Sequence, residues 1–158
     1  MSVSIPDAMQ LLGAFPAQLR ARLAGQSDAA VRLRPATGEW SAIETVGHLI
    51  DIDVVNMGRV GQMIAAGGAP QLAVFDPVDA VVRRDYQQKH LPFLLQSFAD
   101  GRAKLVDEWR YLMPANLAKG GVHPTRGPIT VGFMVTELMP WHDANHLAQI
   151  DAALAAQH

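Results

Sequence analysis

Long stretches of helical periodicity alternate along this chain with short breaks rich in Pro and Gly. From Ser4 to Leu23, the residues Met9, Leu12, Phe15, Leu19 and Leu23 recur at spacings of three and four, which places them on one helix face. Pro16 falls inside that stripe. It lacks a backbone donor and crowds the preceding turn, so the pattern predicts a kinked helix or two short ones. A second helix is predicted from Ser41, which with Glu44 forms a capping-box pair. Its apolar residues Ile43, Val46, Ile50, Val54, Met57, Val60 and Ile64 keep the helical period up to the stop at Gly67-Gly68-Ala69-Pro70.

The signal weakens over residues 71–91, where Pro77 to Lys89 reads as a short helix beginning after Asp76. Pro92 suits the first position of a third long helix, with Phe93, Leu94, Phe98, Leu105, Trp109 and Leu112 running to the break at Pro114. Residues 120–128, rich in Gly and Pro, read as a structured loop. Thr130 then caps a fourth helix carrying Phe133, Met134, Leu138, Met139, Trp141, Leu147, Ile150 and Leu154. No segment shows strict two-residue alternation and no internal repeat stands out. The expected fold is therefore all-α, a four-helix bundle forming one domain over residues 1–158.

Composition narrows the function classes. With 49% hydrophobic and 18% charged residues the chain is too apolar for disorder. A net charge of −2, with 13 Lys and Arg dispersed along the sequence, offers no basic block to neutralise phosphates, which disfavours nucleic-acid binding. No apolar run reaches the roughly 20 residues of a bilayer span, and no charged stretch precedes an apolar one as in a signal peptide, so a soluble, cytoplasmic protein is expected. The absence of cysteine excludes a disulfide framework, a thiolate metal site and a cysteine nucleophile. Any metal must be held by His, Asp or Glu, and any thiol chemistry must use a thiol brought by a substrate.

The candidate chemistry lies in the histidines. His142 and His146 are four residues apart in a helical pattern, so both imidazoles project from one face. Six histidines in 158 residues produce such a pair by chance often enough that the spacing alone decides little. Placement adds weight: the pair sits between Trp141 and Leu147, and His48 is embedded among Val46, Leu49 and Ile50 of the second helix. Three neutral imidazoles without a fourth protein ligand would make an open metal site. Asp51 shares a face with His48, and Gln149 with His146, so each could orient an imidazole through its second nitrogen, while Asp51 has an equal reading as a solvated carboxylate. Asp143 reads first as solvent-facing. Pro140 either tilts His142 inward through a kink or is a packing feature only. His123 reads as a solvated loop residue, or as one that lines the mouth of the site or acts as an acid or base. His90 and the terminal His158 carry no comparable context.

Three stretches together resemble the DinB/YfiT-like bundle proteins, which are distinct from the DNA polymerase sharing part of that name. They are Gly38-Glu39-Trp40-Ser41 leading through Val46-Gly47-His48-Leu49 to Asp51, then His123-Pro124 with Gly127 and Thr130, and finally Trp141-His142-Asp143 with His146-Leu147-Ala148-Gln149-Ile150. The resemblance implies a four-helix bundle, a metal triad of His48, His142 and His146, and a homodimer. It also implies a heterogeneous set of reactions that includes enzymes using bacillithiol or mycothiol. Pro140 departs from the uninterrupted helix usual in that group.

On this reading the expected function is a metal-dependent transferase that activates a low-molecular-weight thiol for attack on a small-molecule electrophile, with Asp51 or His123 assisting. The metal is expected to be zinc first and nickel second, since imidazoles accept both. Three alternatives remain at this stage: a hydrolase using metal-bound water, a metal- or ligand-binding bundle without turnover, and a metal-free bundle whose histidines pack.

Overall fold

Every one of the four long helices forms, in a computed structural model that describes residues 3–156; His158 lies outside the described residues. Helix α1 spans Ile5–Leu23 and starts where the Ser4 hydroxyl accepts from the Asp7 amide. Pro16 neither breaks nor divides it. The Leu12 carbonyl, which a residue-16 amide would ordinarily satisfy, instead accepts from Arg102 Nη1 at 3.2 Å. A one-turn helix α2, Asp28–Arg32, follows; it was not anticipated from the sequence, being too short to show a period.

Helix α3, Ala42–Ala65, begins with the predicted capping box, both arms formed. Helix α4 covers only Pro77–Arg84, because Asp85 turns left-handed at φ 50° and a 3-10 turn at Tyr86–Gln88 replaces the rest of the expected segment. Helix α5 runs over Leu91–Trp109 with Pro92 in its first turn, and a single turn α6 over Pro114–Leu117.

The structured loop is a β-hairpin. Strands β1, Gly120–His123, and β2, Gly127–Thr130, pair antiparallel with His123 opposite Gly127, whose φ of 74° closes the turn. Pairing strands of four residues, two of them Gly and Pro positions, leave too little alternation to read. Gly121 is required here, since a Cβ would lie 2.8 Å from Leu72 and 2.9 Å from Met63. Residues 70–72 flank the hairpin, with Val122 donating to the Pro70 carbonyl and Leu72 donating to the Val122 carbonyl. This fastening presents the hairpin turn to one end of the bundle.

The last helical segment is composite: α7 at Val131–Phe133, a π turn at Met134–Leu138, and α8 at Met139–Ala155. Thr130 caps it as expected, accepting from the Phe133 amide at 3.1 Å. The π turn immediately precedes Pro140, and Met139 donates to the Met134 carbonyl five residues back. The widened turn is the local answer to a proline ring that would otherwise meet the carbonyl of the preceding turn.

Helix α5 packs against α1 and α3, and α8 against the same two, giving a ring of four with a core from all of them. Three residues of the predicted apolar stripes, Val54, Phe93 and Trp141, face outward instead. At the centre lies Arg102, fully buried, its guanidinium forked onto Asp53 of α3 and Asp143 of α8 and reaching the Leu12 carbonyl of α1. Phe15 and Phe98 face the guanidinium at 5.7 and 4.7 Å. Asp143 is thus a buried partner of Arg102 and not the solvent-facing residue that the sequence suggested. Among the described residues no helix is long and apolar enough to cross a membrane.

Candidate metal centre

The antiparallel packing of α3 against α8 brings His48 opposite His142 and His146. His142 Nε2 lies 3.2 Å from His48 Nε2 and 3.0 Å from His146 Nε2, and the three residues can each offer one nitrogen within 4.8 Å of the others. A tetrahedral ion with bonds of about 2.05 Å would hold its ligand nitrogens about 3.3 Å apart, close to both measured separations. His146 Nδ1 donates to Gln149 Oε1 at 2.7 Å, taking the amide orientation that leaves an acceptor there, so the free lone pair of His146 is on Nε2. The expected pairing with Gln149 is therefore present.

Asp51 is placed differently. It is buried, but its carboxylate faces Arg84 Nε at 2.9 Å and Tyr86, and it does not reach His48 Nδ1. Burial pushes the Asp51 carboxyl up, against the pull of Tyr86 and Arg84. His48 Nδ1 and His142 Nδ1 have no hydrogen-bond partner among the described residues. An unsatisfied buried N–H costs about 1–3 kcal/mol, and coordination at Nε2 offers a compensating gain on the other side of each ring.

All three imidazoles are held neutral. Burial lowers His48 to about 3 and His142 to about 2, with the neighbouring imidazoles adding to the effect, and burial also lowers His146. Trp40 supplies much of the apolar wall, its ring 4.9 Å from that of His48 and 6.4 Å from that of His146. Neutral imidazoles with converging lone pairs are the protonation state that a metal ion requires. The residues present therefore fit a divalent ion.

The triad opens into a cleft of about 350 Å³. Its floor is a stripe of α3, His48, Ile52, Asn56 and Arg59, spaced by three and four residues so that all share one face. The hairpin turn contributes His123, Pro124, Thr125 and Arg126, and Phe75 and Leu138 close the sides. His123 thus lines the cleft. Arg59 Nη1 donates to His123 Nε2 at 3.1 Å, and on the other side of the ring Nδ1 faces the Thr125 amide and hydroxyl, each at 3.3 Å. Burial, then Arg59 and Arg126, lower the His123 pKa and keep the ring neutral.

Arg59 and Arg126 escaped the sequence reading. Arg59 carried a signal, standing three helical turns from His48 on the same face, whereas Arg126 reaches the cleft only because the hairpin folds over it.

The architecture defines a helical bundle with an open three-imidazole centre at one end of a polar cleft. The chain belongs to the DinB superfamily, whose profile matches residues 11–150. Among solved structures it is similar to YfiT from Bacillus subtilis, described as a probable metal-dependent hydrolase with an unusual four-helix bundle topology. The two share 21% identity over 96% of this chain and 88% of YfiT, at a TM-score of 0.87. It is also similar to a mycothiol-dependent maleylpyruvate isomerase, at 9% identity and a TM-score of 0.73, covering 94% of this chain and 61% of the isomerase. No curated protein sequence matches the chain.

Proposed function

We propose that this protein is a metal-dependent enzyme acting on a small molecule, with His48, His142 and His146 as the metal ligands and a low-molecular-weight thiol as the nucleophile. The observation that carries the reading is the convergence of three neutral imidazoles, through Nε2, on a cleft lined by no carboxylate among the described residues. A divalent ion held by neutral ligands keeps its full charge and acidifies a thiol or a water molecule presented to it. Zinc is the first choice of ion and nickel the second.

The choice between thiol and water rests on the residues around the triad. Hydrolysis by water asks for a group that accepts and returns protons during the reaction. Asp51 is turned toward Arg84 and Tyr86, and His123 has its Nε2 lone pair occupied by Arg59. A thiol gives up its one proton to solvent as it binds, before attack, and needs no such base in the cleft. Trp40 and Phe75 exclude water from the triad's flank, while His123 acts by holding Arg59 in place. The mycothiol dependence of the isomerase supports the thiol reading, and the description of YfiT supports the hydrolase alternative.

Untagged protein loaded with zinc or cobalt and then dialysed is expected to retain close to one ion per chain, and His48→Ala and His142→Ala to lose it. Retention of the ion by both variants would remove the site. Thiol addition should shift the visible bands of the cobalt form. Consumption of an ester or amide without thiol, alongside unshifted bands, would favour water as the nucleophile.

A further inference from the structure

The cleft contains a second set of groups that the metal reading does not use. Arg59 is 5% exposed, and four of its five N–H donors are taken by neutral acceptors: Nε and one Nη2 hydrogen by the Ala73 carbonyl, the two Nη1 hydrogens by Asn56 Oδ1 and His123 Nε2. Among the described residues no carboxylate lies within 4.0 Å of it. Buried arginines are ordinarily paired, as Arg102 is in this protein. Arg59 therefore has fixed geometry and an uncompensated charge, at the floor of the cleft.

Arg126 adds a second guanidinium from the hairpin turn. It lies over the Trp141 ring at 5.3 Å and likewise has no carboxylate within 4.0 Å among the described residues. The cleft thus combines two arginines, no carboxylate and neutral imidazoles.

From this geometry we infer that Arg59 and Arg126 form an oxyanion-recognition subsite, selecting a substrate that carries a carboxylate or phosphate group away from its reacting end. The assignment rests on the cleft being the reaction site proposed above. Along α3 the α-carbons of His48 and Arg59 are about 16 Å apart, so the anionic group and the reacting atom belong to different ends of one molecule. His123 is a positioning residue for Arg59, and Arg59 is a specificity residue.

The test uses ω-mercapto carboxylates of three, six and eight carbons, each compared with the ω-mercapto alcohol of the same length. Cobalt-loaded protein is titrated with each and its visible bands are followed. At one length or more the carboxylate should bind about tenfold tighter than its alcohol, as expected for one charge-assisted contact. That preference should fall to within about twofold in Arg59→Met or Arg126→Met with cobalt affinity unchanged. Arg126 is exposed, so its variant keeps the test decisive should Arg59→Met not fold. Equal affinities at every length, or a preference surviving in both variants, would overturn the subsite. If no thiol perturbs the bands, the thiol reading fails and the subsite is decided in metal-free protein. There, hexanoate and inorganic phosphate are titrated while the Trp141 indole resonance is followed. A saturable shift lost in Arg126→Met upholds the subsite and shows which oxyanion it takes, and no shift with either ion removes it.

Discussion

A single atom at position 47 constrains the triad. Gly47 lies against the Tyr86 ring so closely that a Cβ would stand 2.2 Å from Tyr86 Cγ, inside any tolerable contact. His48 is the next residue and Tyr86 also serves Asp51, so the glycine decides how near α3 approaches the 3-10 turn beside the centre. Gly47→Ala must therefore push the ring or the helix aside. Overpacking of this kind costs about 1–3 kcal/mol, readable as a lower urea midpoint. Metal affinity should fall with it, because the displacement is transmitted to the neighbouring imidazole.

Helix α3 carries the floor of the cleft, and its first turn anchors it. The Glu44 side chain accepts from the Ser41 amide at 3.0 Å, from the Ser41 hydroxyl at 2.9 Å and from Gln87 Nε2 at 3.1 Å, and pairs with Arg34. Burial alone would raise its pKa, but these donors, Arg34 foremost, bring it down to about 2 from 4.5. A carboxyl whose folded pKa is depressed stabilises the fold above its unfolded pKa and loses that contribution as the pH falls through the folded value. The contribution should thus be complete above pH 4.5 and disappear between pH 4.5 and about 2. Glu44→Gln should cost about 1–3 kcal/mol near neutral pH. Its deficit relative to wild type should shrink across that acid window in urea titrations at successive pH values.

At the scale of the whole molecule, Arg102 joins the four long helices through Asp53, Asp143 and the Leu12 carbonyl. Burial raises both carboxyls, Asp143 to about 6, and Arg102 opposes the rise in each. Arg102→Met would fill similar volume yet leave two buried carboxylates without a cation. Removing one partner of a buried pair costs about 3–5 kcal/mol. The loss measured by thermal or urea unfolding should narrow as the pH is lowered, since protonation makes the carboxyls neutral in the variant. Asp143 adjoins His142, so this knot also fixes the turn of α8 that bears the imidazole pair.

Much of this molecule was legible in one dimension because local rules govern it. The spacing of apolar residues marked the four long helices, Ser41 and Glu44 marked the start of α3, and the spacing of His142 and His146 put two imidazoles on one face. Within residues 71–91 the start of α4 was legible from Asp76 and Pro77 but its end was not, because a left-handed residue and a 3-10 turn show no period. Residues 120–130 resisted because four-residue strands are too short to display one. No local signal marks Arg102 in α5, and only the packing of four helices around it reveals a buried ionic knot. Likewise Pro16 looked disruptive until Arg102 took up the carbonyl it frees. The distinction is one of range: helix phase and capping depend on neighbours within about four residues. The meeting of His48 with His142, the turning of Asp51 toward Arg84 and the arrival of Arg126 over the cleft depend on contacts between elements distant in the chain, which only the tertiary structure decides.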